Sequence, residues 1–175
     1  MSSKIEIVEK EIGHCIEIEE LISTFKIPSA LGRDYHTISE YISSEDAEMS
    51  DFPYVRYIDV DWEDQMSKGF FSNLIDVFTK KWHLQVGIPV SKELSSSNKV
   101  SYRFIENKKY IQTYHYGSYQ KVSDTYRKMY NWAKEEGITL EGESIEIYTN
   151  SPQEVKKEDL ETIVLIGIDS FDEKI

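Results

Sequence analysis

The chain holds a single cysteine, Cys15, among 175 residues. One thiol excludes an internal disulfide framework and fits a reducing compartment. Basic residues are also scarce: 20 Lys and Arg stand against 32 Asp and Glu, for a net charge of −12. Gripping nucleic acid requires a cationic footprint that neutralises phosphate, so no direct nucleic-acid partner is expected. Cationic small molecules are attracted instead. No apolar run approaches the roughly 20 residues that cross a bilayer, and charge begins at Lys4, so neither a membrane span nor a secretory leader is expected. Together these absences imply a cytoplasmic protein. A phosphate-cradling glycine loop, a zinc-protease helix, a dinucleotide fingerprint and a Gly-x-Ser-x-Gly elbow are missing as well. His14, Cys15 and Glu17 are spaced like metal ligands, but no second cluster at zinc spacing accompanies them. The expectation is no metal and no cofactor.

Aromatic residues are abundant, at 13% of the chain, and twelve of them are tyrosines. Tyrosine buries a large ring while keeping one polar tip, which suits both cores and binding walls. The length fits a single domain over residues 1–175, or two small halves sharing a core.

The stretch from Lys109 to Asn150 reads as strand, turn, helix, glycine stop and strand. Tyr119, Val122, Tyr126, Met129, Tyr130 and Ala133 recur at spacings of three and four, which places them on one helical face. Gly137 ends the helix, and Ser118 after Gly117 serves as its cap. His115 in the turn has two readings, a general base or a backbone hydrogen bond, of which the second is the simpler. In the strand that follows, Ile145 and Ile147 point one way and Ser144, Glu146 and Tyr148 the other. The isoleucines are the natural contact for the helix, so Glu146 and Tyr148 are expected on the opposite face of the sheet. There the acid either stands in water or orients a ligand enclosed by aromatic rings.

Earlier in the chain, Ile5 to Ile18 alternate as a strand broken at Gly13, which marks a bulge or turn. Pro28 opens a helix with Leu31, Tyr35, Ile38, Tyr41 and Ile42 as its apolar stripe. Residues 52–60 form a strand with Val55, Tyr57 and Asp59 on one face. Phe70, Phe71, Leu74, Ile75 and Phe78 have helical spacing, giving a helix over the sheet edge or a lid over a pocket. Trp82 to Val90 is the next strand, and Pro89 suggests that it ends there or lies at an edge. The serine-rich Ser91 to Lys99 reads as an internal linker and Glu106 to Lys109 as a hairpin turn. Thr162 to Ile168 suits a central strand, and Ser170 to Ile175 should fray.

A constant shift of 91 superposes the two halves, about 1–92 and 99–170. Leu31 falls on Val122, Tyr35 on Tyr126, Ile38 on Met129, Val55 on Glu146 and Tyr57 on Tyr148. Each half reads strand, helix, strand, strand. The expected fold is therefore α+β: two such modules in a pseudo-twofold arrangement, mainly antiparallel, with helices on one face and a central ligand cleft on the other. Tyr57 and Tyr148 would face each other across it. An acid on one side alone is not what a symmetric structural role requires.

These features resemble the GyrI-like superfamily, the effector-binding domain of bacterial AraC- and MerR-type transcription activators. The matching pieces run in order: FPYVRYIDVD, VGIPV, the His115-x-Gly117-x-Tyr119 turn, the helix with Trp132, the strand from Gly142 to Tyr148 with its Glu-x-Tyr, SPQEVKKEDLETIV and the closing apolar strand. The resemblance implies paired modules and a central aromatic pocket for lipophilic, often cationic drugs, with a glutamate at its base. By position that glutamate is Glu146, with Tyr148 beside it and Tyr54, Tyr57, Tyr114 and Trp82 as further ligand-binding walls. The regulators of this family carry a helix-turn-helix domain ahead of the effector domain. No DNA-binding domain is expected in this chain, which resembles the stand-alone members. Some of those are linked to gyrase protection, and some open the cyclopropane ring of DNA-alkylating natural products.

Three roles follow. The first is a small-molecule sensor or sequestering protein that takes a hydrophobic or cationic ligand. The second is a hydrolase in which Glu146 activates water and Tyr148 or Tyr57 donates a proton. The third is an interaction module whose acidic surface meets a protein partner.

Overall fold

Apolar spacing of three and four builds the helices of this chain, and period-two alternation its strands. The computed structural model describes residues 3–68 and 80–171. In chain order the described strands are β1 (Glu6–Lys10), β2 (Gly13–Ser23), β3 (Tyr54–Ile58), β4 (Lys81–Pro89), β5 (Ser101–Ile105), β6 (Lys108–Tyr116), β7 (Ile138–Tyr148) and β8 (Glu161–Phe171). The described helices are α1 (Ile27–Ser44), the short α2 (Trp62–Lys68) and α3 (Val122–Glu136). Among the described residues, no helix is long and apolar enough to cross a membrane. The helix or lid expected around Phe70–Phe78, and most of the fraying end, lie outside the described residues.

The chain divides into two units. Unit one contains Met1–Lys10, Asp59–Phe70 and Lys108–Ile175; unit two contains Glu11–Ile58 and Phe71–Asn107. Unit one has the antiparallel strand order β1-β6-β8-β7, and unit two the order β3-β4-β2-β5. Each unit is thus an antiparallel sheet with a long helix, which is the mixed α+β class expected. The division does not follow the chain linearly. Gly13, at φ +81°, breaks the alternation between β1 and β2, and the two strands then join different units. The expected hairpin around Glu106–Lys109 is likewise absent. β5 pairs with β2, where His14 bonds the Tyr102 hydroxyl at 2.7 Å and meets the Phe104 ring edge-on. β6 pairs with β1, setting Ile7 opposite Ile111.

In unit two, α1 lays Ile38 and Ile42 on Ile16 and Ile88 of the sheet. Burying each such side chain contributes about 1.5–3 kcal/mol. Leu94 and Val100 belong to the same core, so the serine-rich Ser91–Lys99 stretch is a packed loop of unit two rather than a linker between halves. Pro28 sits in the first turn of α1, where its missing N–H costs no helical bond.

In unit one, α3 buries Tyr126, Met129 and Ala133. Ser118 accepts a hydrogen bond from the Gln120 amide before the helix, and Gly137 ends it at φ +66°. β8 is the central strand between β6 and β7, and Val164, Leu165 and Ile166 are wholly buried.

Candidate functional site

Two residues of β7, Ser144 and Glu146, stand on one face because strand side chains alternate. That face is covered by α3. The Tyr126 hydroxyl, reaching down from the helix, donates to Glu146 Oε1 at 3.0 Å and lies 3.2 Å from Ser144 Oγ. The Tyr148 hydroxyl donates to Glu146 Oε2 at 2.9 Å. Glu146 is therefore on the helix side of the sheet, not opposite it. The isoleucine assignment fails because β7 is buried on both faces here: Ile145 is 0% exposed, Glu146 4% and Ile147 3%. Hydrophobicity alone therefore does not mark the helix side.

Around the acid stands an aromatic shell. The Tyr119 ring meets Tyr148 edge-on at 5.3 Å, and Trp62 leans on Tyr126 at 5.6 Å while its Nε1 donates to the Glu141 carbonyl. His115 shares this face. Its Nε2 donates to the Ser118 carbonyl at 2.9 Å, which leaves Nδ1 to accept from Thr125 Oγ1 at 2.8 Å. The ring ties the turn to α3 and is not poised as a base.

Electrostatics set Glu146 apart. Burial pushes its carboxyl above the ordinary range, and the bonds from Tyr148 and Tyr126 oppose that only partly. Both donors are neutral phenols. Tyr119 responds in turn: burial, and then the Glu146 charge, raise its hydroxyl. Ionised Glu146 is thus a desolvated anion with partial compensation, which a proton or a ligand cation can complete.

The other expected site residues separate into groups. Tyr114 pairs with Ile163, which pairs with Ile147, so its side chain lies on the face away from Glu146, stacked near Tyr116. It is not a wall of the Glu146 niche. Tyr57 and Trp82 are in unit two, with their rings edge-to-face at 5.6 Å. Val55 and Tyr57 share the α1 side of β3, the position that Glu146 and Tyr148 hold in unit one. Tyr54 points the other way. It covers Gly87, where an added Cβ would stand 2.3 Å from the tyrosine ring, and its hydroxyl donates to buried Glu17 at 2.8 Å. Glu17 also receives Arg56 Nε at 2.8 Å, Arg56 Nη2 at 3.1 Å and Arg103 Nε at 3.1 Å. Tyr54 is thereby committed to a structural ion cluster.

Sequence reasoning missed Tyr126 and Ser144. The signal was available, because a phenol in a buried helical stripe needs an acceptor, and Ser144 and Glu146 supply it. A separate hollow of about 490 Å³ in unit one, lined by Trp62, Glu63, Tyr130, Ala133, Gly137 and Ile138 among others, does not include Glu146.

The model of the GyrI-like small molecule binding domain matches residues 36–169. The chain belongs to the GyrI-like family. Solved structures share the fold of this GyrI-like domain. The C-terminal domain of EcmrR superposes with a TM-score of 0.71 at 12% identity, covering 97% of this chain and 99% of that one. Against EcmrR in its complex with DNA, this chain spans only 57% of the other's length, at 13% identity and a TM-score of 0.70. A hydrolase from Listeria innocua gives 0.63 at 14% identity, covering 94% of this chain and 91% of that chain. SAV2435 bound to tetraphenylphosphonium gives 0.56 at 9%, covering 97% and 95%. At such identities the likeness is one of fold. No curated protein matches the chain.

Proposed function

We propose that this GyrI-like domain binds a hydrophobic organic cation and that Glu146 recognises its charge. The observation that carries the reading is a buried carboxylate whose two donors are uncharged phenols. Hiding an anion without a cation is costly, so the carboxyl holds its proton more tightly until a ligand brings the missing charge. Tyr148 and Tyr119 supply ring faces and edges beside it, which suit a flat or aryl-bearing cation. SAV2435, which shares the fold, binds tetraphenylphosphonium, and EcmrR joins such a domain to DNA. Both favour a sensor or sequestering role here.

The test is calorimetric titration with tetraphenylphosphonium and with neutral triphenylphosphine oxide. Glu146→Gln is expected to weaken the cation by roughly ten- to a hundredfold, the worth of a charged hydrogen bond, and to leave the neutral compound unchanged. Equal affinities for the cation in both proteins would reject Glu146 as the recognising group.

A second reading, hydrolysis, draws on the same raised proton affinity, which suits a general base. Glu146 would take a proton from water as the oxygen attacks a cyclopropane carbon. The ring bond's electron pair would pass into the conjugated carbonyl of the alkylator, whose oxygen would take the Tyr148 hydroxyl proton, and Tyr148 would be reprotonated by Glu146, to which it is hydrogen-bonded. Incubation with such a compound should yield the ring-opened hydrate, and no product above the Glu146→Gln background rules turnover out.

A further inference from the structure

Along α1 the residues turned inward recur every four positions: Ala30, Asp34, Ile38 and Ile42. Three are apolar, and the fourth is a carboxylic acid that is 2% exposed. Its cation is its own neighbour in sequence. Arg33 Nε donates to Asp34 Oδ1 at 2.9 Å, and Arg33 Nη2 pairs with Glu20 Oε1 on β2. Nε and Nη2 share one edge of the guanidinium, the edge that ordinarily takes both oxygens of a single carboxylate. Here two carboxyl groups divide it, which sets them side by side and within hydrogen-bonding reach of each other. Asp34 Oδ2 is buried and has no hydrogen-bond donor among the described residues.

One positive charge cannot neutralise two adjacent anions. The Glu20 side chain keeps 18% of its exposure and Asp34 nearly none, so water does little to screen their repulsion. Across the sheet Leu84 stands opposite Glu20, and Tyr57 opposite Leu84. The other charged groups on the elements around the pair are Lys80, over the Trp82 ring, Lys26, near Phe25, and the exposed His36 and Glu40 of α1. Glu17, Glu19, Arg56 and His83 lie on the opposite face of the sheet. Two carboxyls in contact cannot both ionise at little cost, so such a pair retains one proton between them. Burial and then the Asp34 charge accordingly raise the Glu20 carboxyl, against the pull of Arg33.

We propose that Asp34 and Glu20 share a proton which, with Arg33, clasps α1 onto β2, and that the clasp loosens when the proton leaves. In the protonated state the trio is neutral: one guanidinium, one carboxylate and one carboxyl whose O–H supplies the donor that Asp34 Oδ2 otherwise lacks. Deprotonation leaves two anions on one cation and weakens the seat of the first turns of α1. The sign follows from linkage. A carboxyl raised by folding adds stability that is complete below its unfolded pKa and disappears as pH rises through the folded value. The clasp lies in unit two and depends neither on Glu146 nor on any ligand.

The experiment follows the carboxyl-carbon resonances of Glu20 and Asp34 through a pH titration of the wild-type chain and of Asp34→Asn and Glu20→Gln variants. Amide hydrogen exchange of α1 is measured over the same range. In the wild type the two carbons should move together in two steps, the upper one above the ordinary carboxyl range. Corrected for intrinsic exchange, α1 protection should fall through that upper step, by about tenfold for each pH unit that separates it from the ordinary value. Either amide variant leaves one carboxyl beside Arg33. That carboxyl should titrate in a single step no higher than the ordinary range, and α1 should keep its protection to pH 8. Glu20→Gln repeats the test at the more exposed position should Asp34→Asn fail to fold. Glu146→Gln is the control and should leave the α1 response intact, since that acid belongs to the other unit. Independent titration of the two carbons within the ordinary range would overturn the clasp. So would an α1 response that survives in either amide variant, or one that disappears in Glu146→Gln.

Discussion

Two glutamates, Glu17 and Glu146, are hidden from water on opposite terms. Glu17 is 0% exposed and meets two guanidinium groups and a phenol; Glu146, at 4%, meets two phenols. Glu17 is compensated by charge, whereas Glu146 is compensated only by neutral donors, the contrast on which its proposed role rests. The sign of the pH effect follows. A carboxyl whose folded pKa lies above its unfolded value favours folding in the protonated form, and that contribution disappears as pH rises through the folded value. Glu146→Gln should therefore melt higher than the wild type at pH 8, with the gap closing by pH 4 in thermal melts. Cation affinity should run the other way, falling as pH drops below the raised value, because only the ionised carboxylate attracts charge. A gap in melting temperature that grows on acidification would contradict the assignment. That Glu146 and Tyr148 share one face of β7 was legible from alternation. Which side of the sheet that face lies on was not, since a strand buried on both sides gives no amphipathic cue.

At the scale of elements, β3 and β4 are locked by a ring-over-glycine contact. Tyr54 lies across Gly87, and a Cβ there would overlap the ring. Gly87→Ala is expected to destabilise the fold by about 1–3 kcal/mol, the usual cost of overpacking, and chemical denaturation measures it. Arg56→Met should cost about 3–5 kcal/mol by leaving Glu17 short of a cation in the interior. The helices were readable from their apolar stripes, and Ser118 and Gly137 from capping chemistry. The pairing of β1 and β5 was not. Short edge strands satisfy the same alternation in either unit, and only the opposing registers, Ile7 with Ile111 and Phe104 with His14, decide between them.

For the whole molecule, the expected shift of 91 pairs Tyr35 with Tyr126, and both hydroxyls reach from a helix to a strand. Tyr35 reaches from α1 to the Tyr54 carbonyl at 2.8 Å, while Tyr126 reaches from α3 to Glu146. Unit two thus spends its tyrosine on backbone and unit one on an acid. Truncating the first ten residues removes β1 and uncovers the edge of β6. Hydrogen exchange should then accelerate in β6 and β8 while β2 and β4 keep their protection; loss spread evenly over both units would speak against the division.

The crossed allocation of edge strands also bears on how such a chain can be split. A break in the loop between β4 and β5 leaves an amino-terminal piece that owns β1 yet lacks β5, and a carboxy-terminal piece with the reverse deficit. Neither piece could complete its own sheet, but mixed together they hold every strand. Fragment complementation at that loop should therefore reconstitute the protein, where expression of either fragment alone gives an unfinished sheet with an open, aggregation-prone border.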